Sequence, residues 1–333
     1  MVAPTMRIFV YEHITGGGML DDPRMAVLAT EGDLMLRALV DDLRAIDGVE
    51  VSILRDFRLN ADVPAEIRIV RPGEFQVVFG QAVDACDAVW PIAPETDGIL
   101  FRLTQEILLR GRRLLGTRPD AIAIAASKKA TAAVLAQAGI AVACTYTSES
   151  DLPPDVSEVV TKMDDGAGCQ ETLLFSNRQE LRVWSKAQAQ AKSIFQPYVR
   201  GGARSLSILC CDGRGRLLAC NRQNVQVHNG VFQFNGVGVN AMPDEGGRYS
   251  ALANDVCRAL PGLWGYCGVD FIEADAGPTV IEVNPRLTTA YAGLRKAIGI
   301  NPAQLVLELP GALEAAMPVA QPRRIVEVVA HAG

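Results

Sequence analysis

The sequence predicts an α/β domain with a parallel sheet, followed by an α+β portion built around a mainly antiparallel sheet. Three observations carry that expectation. Strand and helix signals alternate through the first part of the chain, strands dominate from "SIFQPYV" onward, and an apolar hairpin near the end carries acids at its strand ends. A β-α-β order implies parallel strands covered by helices, whereas consecutive strands joined by short turns pair antiparallel.

The elements follow in order. "RIFVY" reads as a strand, and "DLMLRALVDDLRAI" as an amphipathic helix with Leu34, Leu36, Leu39, Val40 and Leu43 for its buried face. "VEVSILRD" is a second strand and "DAVWPIA" a third, before the helical run "GILFRLTQEILLRG", which stops at Gly111. In open sheets of this kind ligands gather beyond the carboxyl ends of the strands. Glu12, His13, Gly16, Gly17, Gly18 and Glu95 fall there.

Further on, Ser127 is placed to cap an Ala/Leu-rich helix that Gly139 terminates. "EVVTKMDDGAGCQ" reads as a β-branched strand with Lys162 near its end, then a small-residue loop. "SIFQPYV", "SLSILCCD" and "RLLACNRQNVQV" are successive strands, "YSALANDVCRAL" is a helix, and "GYCGVDFIEA" with "PTVIEVNPR" makes the hairpin. "NPAQLVLELPGALE" closes the chain as a helix.

Composition limits the function. The 333 residues suffice for two or three domains, and a net charge of −6 without long like-charge blocks argues against a nucleic-acid platform. No apolar run reaches the roughly 18 residues of a membrane helix, and no signal peptide is read at the start. The expectation is a cytoplasmic protein acting on small molecules, without nucleic acid or membrane partners, and compatible with a homo-oligomer. Eight dispersed cysteines without a CxxC pair read as reduced, mostly buried thiols. With three scattered histidines they make no zinc pattern.

The chemistry concentrates in three places. Period-two alternation puts Glu282 and Asn284 on one face of a strand, and the hairpin brings Asp270 beside them. Hard oxygen ligands on strands suit Mg²⁺, and Arg286 adds a planar cation for a phosphoryl or acyl-phosphate oxygen. Lys162 precedes "MDDGAGC", whose glycines let backbone N–H groups approach phosphate oxygens. Lys128 opens a helix where an ammonium and helix-start amides can share an anion, with Lys129 as its rival. "IFQPYVRGG" offers backbone groups for an adenine edge, with Gln196 nearby. Thr288, Thr289 and Tyr291 follow the metal strand and face either substrate or, for Tyr291, the core. Gln223 and Asn235 are candidates to reach phosphate or metal.

In that order, Lys128, Lys162, Asp165-Gly166-Ala167-Gly168, the Gln196–Val199 hinge, Asp270 and "IEVNPR" resemble the ATP-grasp superfamily over roughly residues 118 to 310. The resemblance implies ATP between two α+β subdomains, with Lys128 and Lys162 on its phosphates and the hinge backbone, through Gln196, Tyr198 and Val199, on adenine. It also implies two Mg²⁺ ions, with Mn²⁺ as a substitute, on Asp270, Glu282 and Asn284, and a DDGAG loop closing over the phosphates. Many members carry a ribose-binding glutamate where this chain has Ala203-Arg204, so ribose contacts are not implied. The implied division is an N-terminal pre-ATP-grasp substrate domain (1–117), a central subdomain (118–190), a C-terminal subdomain (191–320) and a tail (321–333).

"EHITGGGM", "PIAPETDGIL", "LLG", "CNRQ" and "NPRLTTAYAGL" further resemble the ligases that join tyramine to glutamate in methanofuran biosynthesis. That implies activation of the glutamate γ-carboxylate as an acyl phosphate and its capture by a primary amine, with Arg286 stabilising the reacting acyl group. The alternatives are another acid and amine pair, a non-catalytic nucleotide-binding regulator, or a dinucleotide-dependent oxidoreductase. The last is disfavoured because "HITGGGM" lacks the GxGxxG spacing, and Asp56 lies about forty residues beyond the glycines instead of about twenty. Gly16 to Gly18 are then either a backbone cradle for an amino-acid carboxylate or a structural turn.

Overall fold

A computed structural model describes residues 5–187, 192–314 and 324–330. The N-terminal strands β1 (Met6–Glu12), β2 (Val49–Asp56), β3 (Glu66–Val70), β4 (Ala88–Ile92) and β5 (Arg113–Leu114) form one sheet in the order β3-β2-β1-β4-β5. Every pairing in it is parallel. Helices α1 (Met25–Arg44), α2 (Phe75–Asp84) and α3 (Ile99–Leu109) connect the strands. β1 is buried from Ile8 to Glu12, as a central strand covered on both faces must be. Its two neighbours are β2 and β4, so the chain leaves β1 toward one edge and β4 toward the other. Such a divergence opens a crevice at the carboxyl ends of both strands.

Two details depart from the sequence expectation. "DAVWPIA" is the fourth strand, because the short edge strand β3 intervenes, its apolar Ile67, Ile69 and Val70 interrupted by Glu66 and Arg68 and only Val70 fully buried. α1 begins at Met25, eight residues before the expected Asp33. Its first turns contain Thr30 and Gly32, poor helix formers. Gly32 is required there, since a Cβ would lie 2.7 Å from a Glu12 carboxylate oxygen.

After α4 (Pro119–Ala125) and α5 (Lys128–Gln137) comes a second sheet. Its strands are β6 (Val159–Met163), β7 (Leu173–Phe175), β8 (Ser193–Pro197), β9 (Gly202–Cys211), β10 (Arg214–His228), β11 (Val231–Val239), β12 (Gly265–Ala274), β13 (Gly277–Asn284) and β14 (Val326–Val329). They run β13-β12-β9-β10-β11-β7-β6-β8, with β14 added on β11. Ser127 caps α5 by accepting the Ala130 N–H, and Gly139 follows the helix at φ +78°. α6 (Arg178–Ala187) covers the small β6–β7–β8 end, where Leu152, Val159, Leu181 and Phe195 form a separate core. α7 (Arg248–Ala259) lies against β10, while α8 (Tyr291–Ile298) and α9 (Pro302–Leu307) lie against α1. α9 is shorter than the helix expected over "NPAQLVLELPGALE", and Gly311–Leu313 forms a separate 3-10 turn. Part of the stretch expected as a tail is thus β14.

One apolar cluster joins Ile8, Leu36, Leu39 and Leu43 of the N-terminal part to Leu209, Tyr266, Leu294 and Val306. Burying each such Leu is worth roughly 2 kcal/mol, so α1 is held firmly against the C-terminal part. Six of the eight cysteines are buried, Cys144 is exposed, and all eight are thiols. Among the described residues no helix is long and apolar enough to cross a membrane.

Candidate active site

Antiparallel pairing of β12 with β13 sets Asp270 directly opposite Glu282, with Asn284 two residues further along the same face. Gln223 Nε2 on β10 donates to Asp270 Oδ1 at 3.0 Å, and Asn284 Nδ2 donates to Oδ2 at 3.3 Å. Burial, followed by the negative charge of Glu282, pushes the Asp270 carboxyl up to about 7. The two amide donors and Lys162 only partly offset this. Two crowded carboxylates with an amide oxygen beside them fit a hard divalent cation, which would relieve their mutual repulsion. Among the described residues no group of three or more His, Cys, Asp and Glu gathers as a metal site. A cation here would therefore rest on Asp270, Glu282 and Asn284, and complete its shell with water and phosphate oxygens, as Mg²⁺ does.

Lys162, buried on β6, is lowered to about 8 by burial and then by Lys128, while Glu282 and Asp270 act to hold its charge. Lys128 is also buried. Its Nζ donates to the Gly166 carbonyl at 2.5 Å and lies 3.6 Å from Glu282 Oε1. The Lys129 side chain is exposed, and its backbone N–H donates to Asp164 Oδ1 at 2.9 Å. The two lysines that sequence left as rivals thus differ in direction, with Lys128 tucked behind the glycine loop.

That loop docks on the N-terminal domain. Asp165 Oδ2 accepts the Asp97 N–H at 3.2 Å, and the Asp165 carbonyl accepts the Thr96 hydroxyl at 2.9 Å. Asp165 therefore faces across the domain boundary, and Gly166 gives its carbonyl to Lys128, while Ala167, Gly168 and Cys169 line the cavity. Burial, then Asp270 and Glu282, raises the Cys169 thiol to about 12, which favours its neutral form.

The hinge residues Gln196, Tyr198 and Val199 line the same cavity beside Val160, Phe232 and Ile272. Gln196 Nε2 donates to Thr145 Oγ1 at 2.8 Å, and the Tyr198 N–H donates to the Glu158 carbonyl at 3.0 Å.

Arg286 crosses the domain boundary. Its Nε lies 3.0 and 3.1 Å from the two Glu95 carboxylate oxygens. Burial works against the guanidinium charge, but Glu95 and Glu282 hold it above its ordinary value. Thr288 Oγ1 lies 2.9 Å from the Tyr266 hydroxyl, and Thr289 Oγ1 donates to the Glu31 carboxylate of α1. Tyr291 belongs to the core, edge-on to Tyr266 with ring centroids 5.3 Å apart.

At the end of β1, Glu12 is buried and accepts from Ile14 N–H at 3.2 Å and from Thr15 N–H and Oγ1, each at 2.7 Å. His13 is lowered to about 4 by burial and by Arg102, so its ring is neutral at pH 7. A Cβ on Gly16 would come 2.9 Å from the Tyr11 ring. Gly17 sits at φ +90° with its would-be Cβ 2.8 Å from Val70. Packing and backbone conformation therefore already demand glycine at both positions. Gly17 and Gly18 nonetheless line the cavity together with Glu12 and His13, whereas Gly16 is turned into the domain.

The cavity these groups surround has a volume of about 1350 Å³. Lys162, Gly168, the hinge, Asp270, Glu282, Asn284, Arg286, Thr288 and Thr289 meet around it, and Gln223 joins them. Asn235 does not reach the wall, and its carbonyl accepts the Ala330 N–H. Sequence reasoning missed Glu31, because it started α1 two residues too late to include that side chain. The period of Val27, Leu28, Glu31 and Met35 was the signal available.

Residues 125–290 match the model of the ATP-grasp domain family, and residues 49–122 match the pre ATP-grasp 3 domain. Among curated proteins, the chain is similar to the tyramine–L-glutamate ligase of Methanocaldococcus jannaschii. The two are 25% identical over 293 residues, covering 86% of this chain and 84% of the relative. With the tyramine–L-glutamate ligase of Methanocaldococcus fervens the identity is 26% over 299 residues, covering 86% and 89%. An ATP-grasp superfamily protein from Archaeoglobus fulgidus shares the fold, with TM-score 0.72 and 23% identity over 91% of this chain and 88% of that one. So does the L-amino acid ligase from Bacillus licheniformis, with TM-score 0.66 and 16% identity over 93% and 75%.

Proposed function

The chain belongs to the ATP-grasp superfamily and is an ATP-dependent carboxylate–amine ligase, and we propose that it joins the γ-carboxylate of L-glutamate to tyramine, releasing ADP and phosphate. The observation that carries the chemistry is the Asp270–Glu282 pair, set opposite each other in a cavity that also receives Lys162 and Arg286. Similarity to two tyramine–L-glutamate ligases over most of both chains supports the choice of substrates.

In this reading Gln196, Tyr198 and Val199 frame the adenine, and Lys162 meets the phosphates. Lys128 holds the glycine loop through Gly166 and adds its charge from behind. Mg²⁺ held by Asp270, Glu282 and Asn284 would supply charge neutralisation across the phosphates. The substrate carboxylate attacks the γ-phosphorus, the bond to the β-phosphate oxygen breaks, and an acyl phosphate and ADP result. Positioning and electrostatics dominate such a transfer. Arg286, fixed by Glu95, offsets charge on the acyl oxygens as the amine adds. Asp165 and Gly168 belong to a loop that Thr96 and Asp97 dock over the site, and so exclude water from the acyl phosphate. The backbone of Gly17 and Gly18, with Thr288 and Thr289, borders the amino-acid substrate. Glu12 serves this wall by bracing the turn through Ile14 and Thr15.

The test is ADP release, followed with glutamate and tyramine together and with each alone, and product mass. The pair should release ADP at least tenfold faster than either substrate alone, with an amide product. Release only with an unrelated acid would remove the named substrates and leave the ligase chemistry.

A further inference from the structure

The face that α1 turns to the cavity is set by helical spacing. Val27 and Leu28 lie four and three residues before Glu31, and all three line the cavity. Val27 keeps 56% of its surface exposed although it sits in a concavity, and Phe75 lines the cavity as well. On the same helix face as Val27 and Leu28, α1 presents the Glu31 carboxylate, which accepts the Thr289 hydroxyl. Thr289 lies three residues beyond Arg286, and the Glu31 charge acts on the Arg286 guanidinium. Glu31 therefore stands where an apolar surface meets the reacting end of the cavity. Asp21 also lines the cavity but lies exposed on the loop before α1, and the buried or paired carboxylates of the wall are committed. Glu12 takes hydrogen bonds from Ile14 and Thr15, Asp22 is clasped by Arg24, and Asp270 and Glu282 face each other. An ionised carboxylate has roughly four acceptor sites, so one donor from Thr289 leaves Glu31 room for an ammonium.

We propose that Glu31 receives the ammonium of the acceptor amine and takes its proton, and that Val27, Leu28 and Phe75 hold an arylalkyl body. This rests on the ligase reading. The amine arrives as RNH₃⁺ and gives one proton to Glu31. Its freed lone pair forms the C–N bond to the acyl carbon as the C–O bond to phosphate breaks. The second proton leaves nitrogen with the departing phosphate, which becomes HPO₄²⁻, and Glu31 then releases its own proton to solvent. Thr289 is a positioning residue that fixes the carboxylate.

The test compares two nucleophiles on one acyl phosphate. Tyramine must be anchored and deprotonated, whereas hydroxylamine arrives neutral and small. In Glu31→Gln, kcat/KM for tyramine should fall on the order of 100-fold, as loss of a charged hydrogen bond and a proton acceptor requires. Hydroxamate formed from the acid substrate and hydroxylamine should stay within about threefold of the parent, a change too small to register as a lost interaction. An equal fall in both reactions, or no fall with tyramine, overturns the assignment. Thr289→Val is the second variant, and it should raise the KM for tyramine severalfold and shift the pH profile of the tyramine reaction. An unchanged profile counts against the proposal. The parent should also prefer tyramine to methylamine by at least tenfold in kcat/KM, and equal efficiency would remove the apolar wall from the assignment. If the parent makes neither ADP nor hydroxamate with any amino acid, the ligase reading itself fails, and the proposal with it.

Discussion

Arg286 and Glu95, 191 residues apart in sequence, form an ion pair with 12% and 6% of their side chains exposed. It ties the strand that carries Glu282 and Asn284 to the loop that follows β4. Removing one member of such a pair leaves the other charge buried and uncompensated. Glu95→Gln is therefore predicted to lower stability by about 3–5 kcal/mol, read as a fall in the urea midpoint. A midpoint shift below about 0.5 kcal/mol equivalent, the range of an ordinary surface substitution, would show that the pair is solvated in practice.

Glu282→Gln keeps the shape of the hairpin and removes one of the two facing charges. Turnover should drop by roughly three orders of magnitude if the pair holds a catalytic cation. ADP should still bind in calorimetry, but with its dependence on added Mg²⁺ weakened. Unchanged turnover would exclude the residue from the mechanism.

His13 makes a pH prediction with a definite sign. Its folded value is about 4 against an ordinary 6.5, because burial and Arg102 oppose the charged ring. Between those values the unfolded chain binds more protons, so stability falls as pH drops from about 6.5 to 4. The full effect is about 3 kcal/mol. His13→Asn should remove that part of the acid sensitivity, seen as a flatter plot of unfolding free energy against pH. Parallel plots for variant and parent would contradict the burial of a neutral ring.

Gly17→Ala tests the turn. Strain at a left-handed φ and contact with Val70 together predict a loss of about 2–4 kcal/mol in stability. A folded variant with parental thermal stability would show that the turn can relax.

Much of this was legible in the sequence, for physical reasons. β1, β2 and the β12–β13 hairpin announce themselves because their faces are uniformly apolar or strictly alternating, and Asp270, Glu282 and Asn284 follow from period two. Ser127 and Gly139 bound their helix by cap chemistry. Edge strands were less legible: β3 shows charges to solvent, and β14 is four residues long. Relationships across the domain boundary, such as Thr289 with Glu31 or Asp165 with Asp97, were not legible, because no local pattern encodes which distant backbone or carboxylate a side chain will meet. The triglycine shows the same limit: its spacing could not reveal that Tyr11 and Val70 occupy the space a side chain would need.

The apolar cluster that joins α1 to α8 and α9 has a mechanical consequence. Swinging the N-terminal sheet away from the Asp270–Glu282 hairpin would tear that cluster open, so these parts behave as the fixed jaw of a vice. The β6–β7–β8 end has its own small core, and its glycine loop meets the N-terminal domain through Thr96 and Asp97. Among the described residues it joins the rest of its sheet through the pairing of Leu173 on β7 with Val231 on β11, which makes it the less restrained jaw. For the proposed ligase, a stroke of that end alone would open the nucleotide side, while the surface proposed to face the amine would keep its shape from one turnover to the next.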